Sequence, residues 1–314
     1  MSEALPTPAA SPGRRAWHRF CANRLAMASA LFLLLLLALV VLFPLLLSHG
    51  PNATSDRQFE PPSAGHWCGT DVHGRDLLAR ILFGARISLL VGAIGTLVSL
   101  VIGVIWGAVA GYVGGRTDGI MMRFVDILYA LPSIVFVIVL ITTLNGFVTK
   151  FQAHGLSPGY ATAAQFMGLF AGLGAVSWLT MARIVRGQVL SLRTRPFVEA
   201  SRVLGASHAR ILFRHIVPNI SGLIIVYLTL TIPSIVLYES FLSFLGLGVQ
   251  PPMASWGSLI ADGANQLNPI RIYWWLLVFP GATLVATLVA LNYLGDGLRD
   301  ALEPRSSPGA DATP

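Results

Sequence analysis

Six stretches without a charged residue divide the chain: Leu25 to Leu47, Ile87 to Tyr112, Ile127 to Thr149, Gly159 to Met181, Ile216 to Tyr238 and Ile272 to Gly295. Each holds 23 to 26 residues, and a helix rising ~1.5 Å per residue crosses a ~30 Å hydrocarbon core in about 20. The pattern predicts an all-α polytopic membrane protein with six transmembrane helices. The first stretch is longer than the ~7–15 residues of a signal-peptide core and no small-x-small cleavage site follows it directly, so it reads as a retained anchor. The spans organise the chain into a tail (1–24), an anchor helix (25–47), an outer segment (48–86), a membrane core (87–298) with a long inner connection (182–219), and a second tail (299–314).

Composition agrees with this division. Of 314 residues, 54% are apolar and 11% charged, and the mean hydropathy is +0.70. An ordinary soluble domain carries about 25% charged residues. The net charge of +7 does not gather on a basic face with interleaved aromatics, as a nucleic-acid binder would have it; it lies between the spans. With the amino terminus inside, the cytoplasmic segments hold 15 Lys and Arg and the other side 6. Basic residues are retained on the cytoplasmic side, so both termini are expected there. Met1 to Gly13 and Pro304 to Pro314, rich in Pro, Ala, Ser and Gly, read as disordered.

The spans are short of chemistry. All seven histidines fall outside them or at their edges, and the sole lysine, Lys150, rules out a phosphate-binding GxxxxGK[ST] loop. A secondary carrier needs an ion site near the midplane and an inverted repeat; an intramembrane protease needs a buried nucleophile beside a base. Neither pattern is present. Cys21 and Cys68 flank the first span and read as free thiols, and the chain has no metal-ligand spacing. Ser99, Gly103, Gly107 and Gly111 recur every four residues and form a small-residue face, suited either to packing within the bundle or to a second chain. Pro132, Pro233 and Pro280 lie inside spans as kinks or flex points.

Three loops carry more. In the outer segment, Gly69, Asp71, Gly74 and Asp76 predict a turn, after which Leu77, Leu78, Ile81 and Leu82 predict an amphipathic interfacial helix with Asp76 and Arg80 as a surface pair. The turn lacks the spaced oxygen ligands of a calcium loop. Glu239, about 20 residues beyond Asn219, is expected at the outer interface, as a cap of the segment that follows or as a gate. Asp262 meets a delivery protein or solvent. In the inner connection, Phe197 to Leu204, Gly205, and Ser207 to Val217 read as helix, turn, helix, with Ile211, Leu212 and Ile216 as an apolar stripe between Arg210 and Arg214. Pro218 is read as stopping the second helix, and Asn219 as the N-cap of the fifth span.

Glu199-Ala200-Ser201, Gly205-Ala206 and Arg214-His215-Ile216-Val217-Pro218 resemble the EAA loop of ABC importer permeases, with Ser201, His215 and Val217 as departures. GTDVHGRDLLARILFGARISL from Gly69, ESFLSFLGLGVQPP from Glu239, SWGSLIADGAN from Ser255 and GDGLRDALEP from Gly295 resemble the C-type permease subunit of oligopeptide and dipeptide ABC importers. The resemblance runs from about Arg19 to Pro304; the connection from Asn145 to Gln165 looks longer than usual. It implies a type I ABC importer permease fold in the bacterial inner membrane and a chain that is not itself an enzyme. The implied partners are a homologous permease subunit in a heterodimer, two ATPase subunits that hold ATP and magnesium, a periplasmic or lipid-anchored solute-binding protein, membrane lipid and a peptide substrate. A nickel chelate or glutathione is the alternative cargo of the same branch.

Overall fold

The computed structural model describes residues 12–46, 50–155, 157–267 and 269–302. The expected disorder of the tails therefore lies outside the described residues, except that Pro12 and Gly13 open a helix. The elements are α1 (Pro12–Ala22), α2 (Arg24–Leu46), α3 (Leu77–Val113), α4 (Gly115–Ala130), α5 (Ser133–Ala153), α6 (Pro158–Leu192), α7 (Pro196–Val203), α8 (His208–Arg210), a π-helical turn (Ile211–Ile216), α9 (Val217–Asn219), α10 (Ser221–Phe244), α11 (Trp256–Asn265) and α12 (Trp275–Leu302). Six of them, α2, α3, α5, α6, α10 and α12, are long and apolar enough to cross a membrane, matching the six runs.

Their ends differ from the sequence reading in physically traceable ways. The stretch Leu77–Arg86 is not a separate interfacial helix; it is the start of α3, a single helix of 37 residues. Asp76 caps it, its carboxylate accepting from the Ala79 amide at 2.8 Å. Leu77, Ile81 and Leu82 are buried beneath Trp256 and Trp275 instead of facing lipid. The third run is split: Pro132 lacks an N–H and restricts its predecessor, so Leu131 turns extended and α4 ends before α5 begins. Pro233 and Pro280, by contrast, lie within unbroken helices. The connection read over Asn145 to Gln165 is mostly helix, with α5 reaching Ala153 and α6 starting at Pro158, a residue suited to a first turn.

The inner connection read from Ala182 likewise begins as helix, since α6 runs to Leu192. Its two arginines do not end it because α4 supplies their counter-charges. Arg183 donates to Asp126 at 2.7 Å, and Arg186 grips both Asp118 oxygens at 2.5 and 2.6 Å. Along α3 and α6 the small-residue face is used up within the chain. A Cβ at Gly103 would lie 2.6 Å from Met181 Cβ, one at Gly111 would lie 2.7 Å from the Arg186 carbonyl, and one at Gly107 would strike the Ala182 carbonyl. Ser99 is buried on the same face. Lipid supplies no hydrophobic drive between helices, so such close backbone approach, rich in dispersion contact, is what holds them. α1 packs beside α12 through Phe20, where Gly297 leaves room for Ala26.

Candidate functional site

Two ends of the bundle hold its polar chemistry. At the end where α3 finishes, α6 turns through Arg193–Arg195 into α7, which Pro196 opens. Gly205 closes α7 at φ +76°, a left-handed conformation that side chains with a Cβ resist; its amide donates to the Arg202 carbonyl and that of Ala206 to the Ser201 carbonyl. Ser207 then caps α8. This is the helix, turn, helix expected, and Ile211, Leu212 and Ile216 do form its buried stripe, against Val185, Val189 and Val198. Pro218 does not stop the second helix. The helix widens instead: the Val217 amide reaches back five residues to Leu212, and the π-helical turn carries the chain through Pro218 into α9. Asn219 does not cap α10 either, since its amide group donates to the His215 carbonyl at 2.6 Å.

The remaining residues of the hairpin face outward or sit at its edge. Glu199, Ala200, Arg214 and Pro218 are exposed, while Ser201, Ala206 and His215 are half-buried. At the turn Val203, which ends α7, and Leu204 are 88% and 85% exposed, an apolar tip among the exposed charges of Glu199, Arg202 and Arg210. The hairpin is tied to α3 by three contacts that the sequence reading did not pick out. The Tyr112 hydroxyl meets His208 Nδ1 at 2.9 Å, the Arg202 guanidinium lies 5.5 Å from the Tyr112 ring centroid, and Arg193 donates to the Gly111 carbonyl at 3.3 Å.

At the opposite end the turn before α3 closes on a single carboxylate. Asp71 accepts from the amides of His73 and Arg75 at 2.8 and 3.0 Å, from Arg75 Nε at 2.6 Å and from Arg80 Nη1 at 2.7 Å. Burial pushes the Asp71 carboxyl up, but the amides of Arg75 and His73 and the Arg75 guanidinium outweigh it and hold the group below its ordinary value. Asp76 and Arg80 are not a surface pair. Asp76 meets His66 at 2.8 Å, while the Arg80 side chain is 6% exposed and bound to Asp71, with Asp262 a looser partner at 3.3 Å. The Asp71 oxygens are thus committed to nitrogen donors, and among the described residues no cluster of His, Cys, Asp and Glu could hold a metal ion. A pocket of about 240 Å³ opens beside this cluster, lined by Arg75, Arg80, Pro251, Pro252, Met253 and Asp262 among others. Cys68 lies nearby; burial, and then the Asp76 charge, push its thiol up to about 11. Both cysteines are free.

Glu239 is enclosed by protein and does not face outward. It is fully buried, with Ser243 Oγ at 2.6 Å on one oxygen and Ser88 Oγ at 2.8 Å on the other. Ser240 is a weaker donor at 3.4 Å.

Residues 103–308 match the family described as binding-protein-dependent transport system inner membrane component, and residues 11–62 match the N-terminal TM domain of oligopeptide transport permease C. The chain is 44% identical over 303 residues to the oligopeptide transport system permease protein OppC of Haemophilus influenzae, covering 93% of this chain and 90% of that one. It is 43% identical over 305 residues to the dipeptide transport system permease protein DppC of Bacillus subtilis, covering 97% and 89%. To OppC of Escherichia coli K12 it is 44% identical over 308 residues, covering 97% and 95%.

Proposed function

The chain belongs to the family of binding-protein-dependent transport system inner membrane components, and from that footing we propose that it is the membrane-spanning subunit of an ATP-driven importer of oligopeptides or dipeptides. The transporter would sit in the inner membrane with both termini of this chain in the cytoplasm, on the positive-inside count of its segments. A homologous permease subunit forms the other half of the pathway. Two ATPase subunits, which hold ATP and magnesium, take the hairpin 196–219, and a binding protein delivers peptide to the pocket beside Asp262. This chain's own work is conformational: it binds no cofactor and makes or breaks no bond.

The observation that carries the reading is the hairpin's form. Its buried stripe fastens it to the spans, while Val203 and Leu204 stay open at the tip, and an apolar tip among exposed charges fits a protein partner. Glu199, in the first turn of α7, adds a charged contact beside it. Closure of the ATPases on ATP displaces this elbow, and the shift in population follows from ATP favouring one arrangement over the other. The substrate class follows the oligopeptide and dipeptide permeases to which almost the whole chain is similar. A nickel chelate or glutathione is the second reading for cargo; Arg186 and Glu239, ionisable residues of the spans, are already engaged by Asp118 and by Ser243, which leaves selection mainly to the binding protein.

The test is uptake by the assembled transporter. Gly205→Val forces a β-branched residue into the left-handed region, at about 1–2 kcal/mol of strain, and should uncouple peptide uptake from ATP hydrolysis with the spans still inserted. Glu199→Ala should weaken coupling in the same direction. Unchanged uptake by Gly205→Val, measured with radiolabelled peptide in proteoliposomes, would sink the proposed role of the hairpin.

A further inference from the structure

An ionisable side chain sealed inside a helical bundle is costly unless every oxygen is satisfied, and Glu239 is satisfied by donors from separate elements. Ser88 is on α3 and Ser243 on α10. Each serine also receives a backbone amide from the polypeptide beyond α10: Ser88 Oγ accepts from the Trp256 amide at 3.3 Å, and Ser243 Oγ from the Val249 amide at 3.2 Å. One carboxyl group therefore links α3 and α10 directly, and through the two hydroxyls it reaches the connector 245–255 and the start of α11. Glycines let these elements close on it. A Cβ at Gly257 would strike the Ser240 carbonyl, one at Gly84 would lie 3.2 Å from the Ser255 backbone, and one at Gly248 would crowd Ser243. The elements so joined carry the walls of the pocket, with Pro251, Pro252 and Met253 on the connector, Asp262 on α11 and Arg80 on α3.

We propose that Glu239 is a positioning residue for transport: it pins the connector 245–255 and α11 to α3, so that the pocket beside Asp262 meets the binding protein as one fixed shape. This rests on the transport reading above. An apolar side chain could fill the volume but would not select a single register of α3, α10 and α11, whereas the serine donors meet the carboxyl in one arrangement only. A glutamine cannot replace it fully, because its NH₂ would face a serine hydroxyl that now donates.

The experiment uses the assembled transporter in lipid nanodiscs, with its ATPases and its binding protein saturated with a mixed dipeptide and tripeptide pool. For Glu239→Ala the binding-protein concentration that half-saturates ATP hydrolysis should rise about tenfold, the equivalent of about one buried hydrogen bond, with the maximal rate within about twofold. Glu239→Gln and Ser243→Ala should shift it less, in the same direction. An unchanged half-saturating concentration in the assembled variants overturns the proposal, as does a fall in maximal rate alone. If Glu239→Ala does not assemble, amide hydrogen exchange on Glu239→Gln decides. Residues 249–265 should exchange about tenfold faster while 196–219 stay as in the parent, and unchanged exchange over 249–265 overturns it. Failure of the parent complex to import peptide would count against the transport reading, and the exchange measurement would still report on the pin.

Discussion

The two polar ends of the bundle are built on opposite principles. Around Asp71 the charges are drawn inward: one carboxylate holds two arginines and two amides, and the indoles of Trp256 and Trp275 donate to the carbonyls of Ile81 and Thr70 at 3.2 and 3.3 Å. The hairpin 196–219 instead keeps its charges and two aliphatic side chains in the open and meets α3 at Tyr112, through His208 and Arg202. The first arrangement resists internal rearrangement and the second invites a partner. A fold whose one face keeps its shape while another meets a partner needs both.

The largest effect expected at either end is that of Asp71→Ala. It leaves the enclosed guanidinium of Arg80 with only its looser contact to Asp262, and uncompensated buried charge costs about 3–5 kcal/mol. The melting temperature of the solubilised complex should fall sharply; a loss no greater than that of a surface variant would erase the contrast between the ends. Acid probes the same carboxylate more gently. Its folded-state value lies below the unfolded one, so its contribution is complete above the unfolded value of ~3.9 and is lost as pH falls through the folded value. Melting scans below about pH 4 should therefore show amide exchange rising at 69–80 before it rises at 196–219.

The smallest change in stability, and the sharpest for the comparison, comes from Val203→Asp. That side chain is almost wholly exposed, so stability should stay within about 0.5 kcal/mol of the parent, while copurification of the ATPase subunits is lost. A large drop in melting temperature with the ATPases still attached would mean that the tip belongs to the fold and not to a partner.

Hydrophobic pattern made the six helices legible because length without charge is a sufficient condition for a span. Their ends were less legible because charges outside the runs are paired by the fold. Arg183 and Arg186 read as loop residues until Asp118 and Asp126 on α4 are seen beside them. The hairpin was visible from Gly205 and its stripe, both local signals. The route past Pro218 was not, since a widened turn leaves no mark in composition. At the other end, Asp76 sits four residues before Arg80 and suggested a pair; Asp71, nine residues before, holds the arginine because the glycine turns at 69 and 74 fold the chain back. The exposure of Val203 and Leu204 could not be read in sequence, because an exposed aliphatic residue has no periodic signature.

The continuity of α3 sets a length scale for the whole machine. Thirty-seven residues at ~1.5 Å make a rod of about 55 Å, with Arg80 near one tip and Tyr112 at the other. A rod of that length swung by about 5° about one tip carries the far tip through about 5 Å, close to one helical turn. Sub-ångström adjustments at the Tyr112 tip would be lost in thermal noise, but a few degrees of tilt there arrives at the Asp71 tip as a full step, without any bond along the shaft being broken.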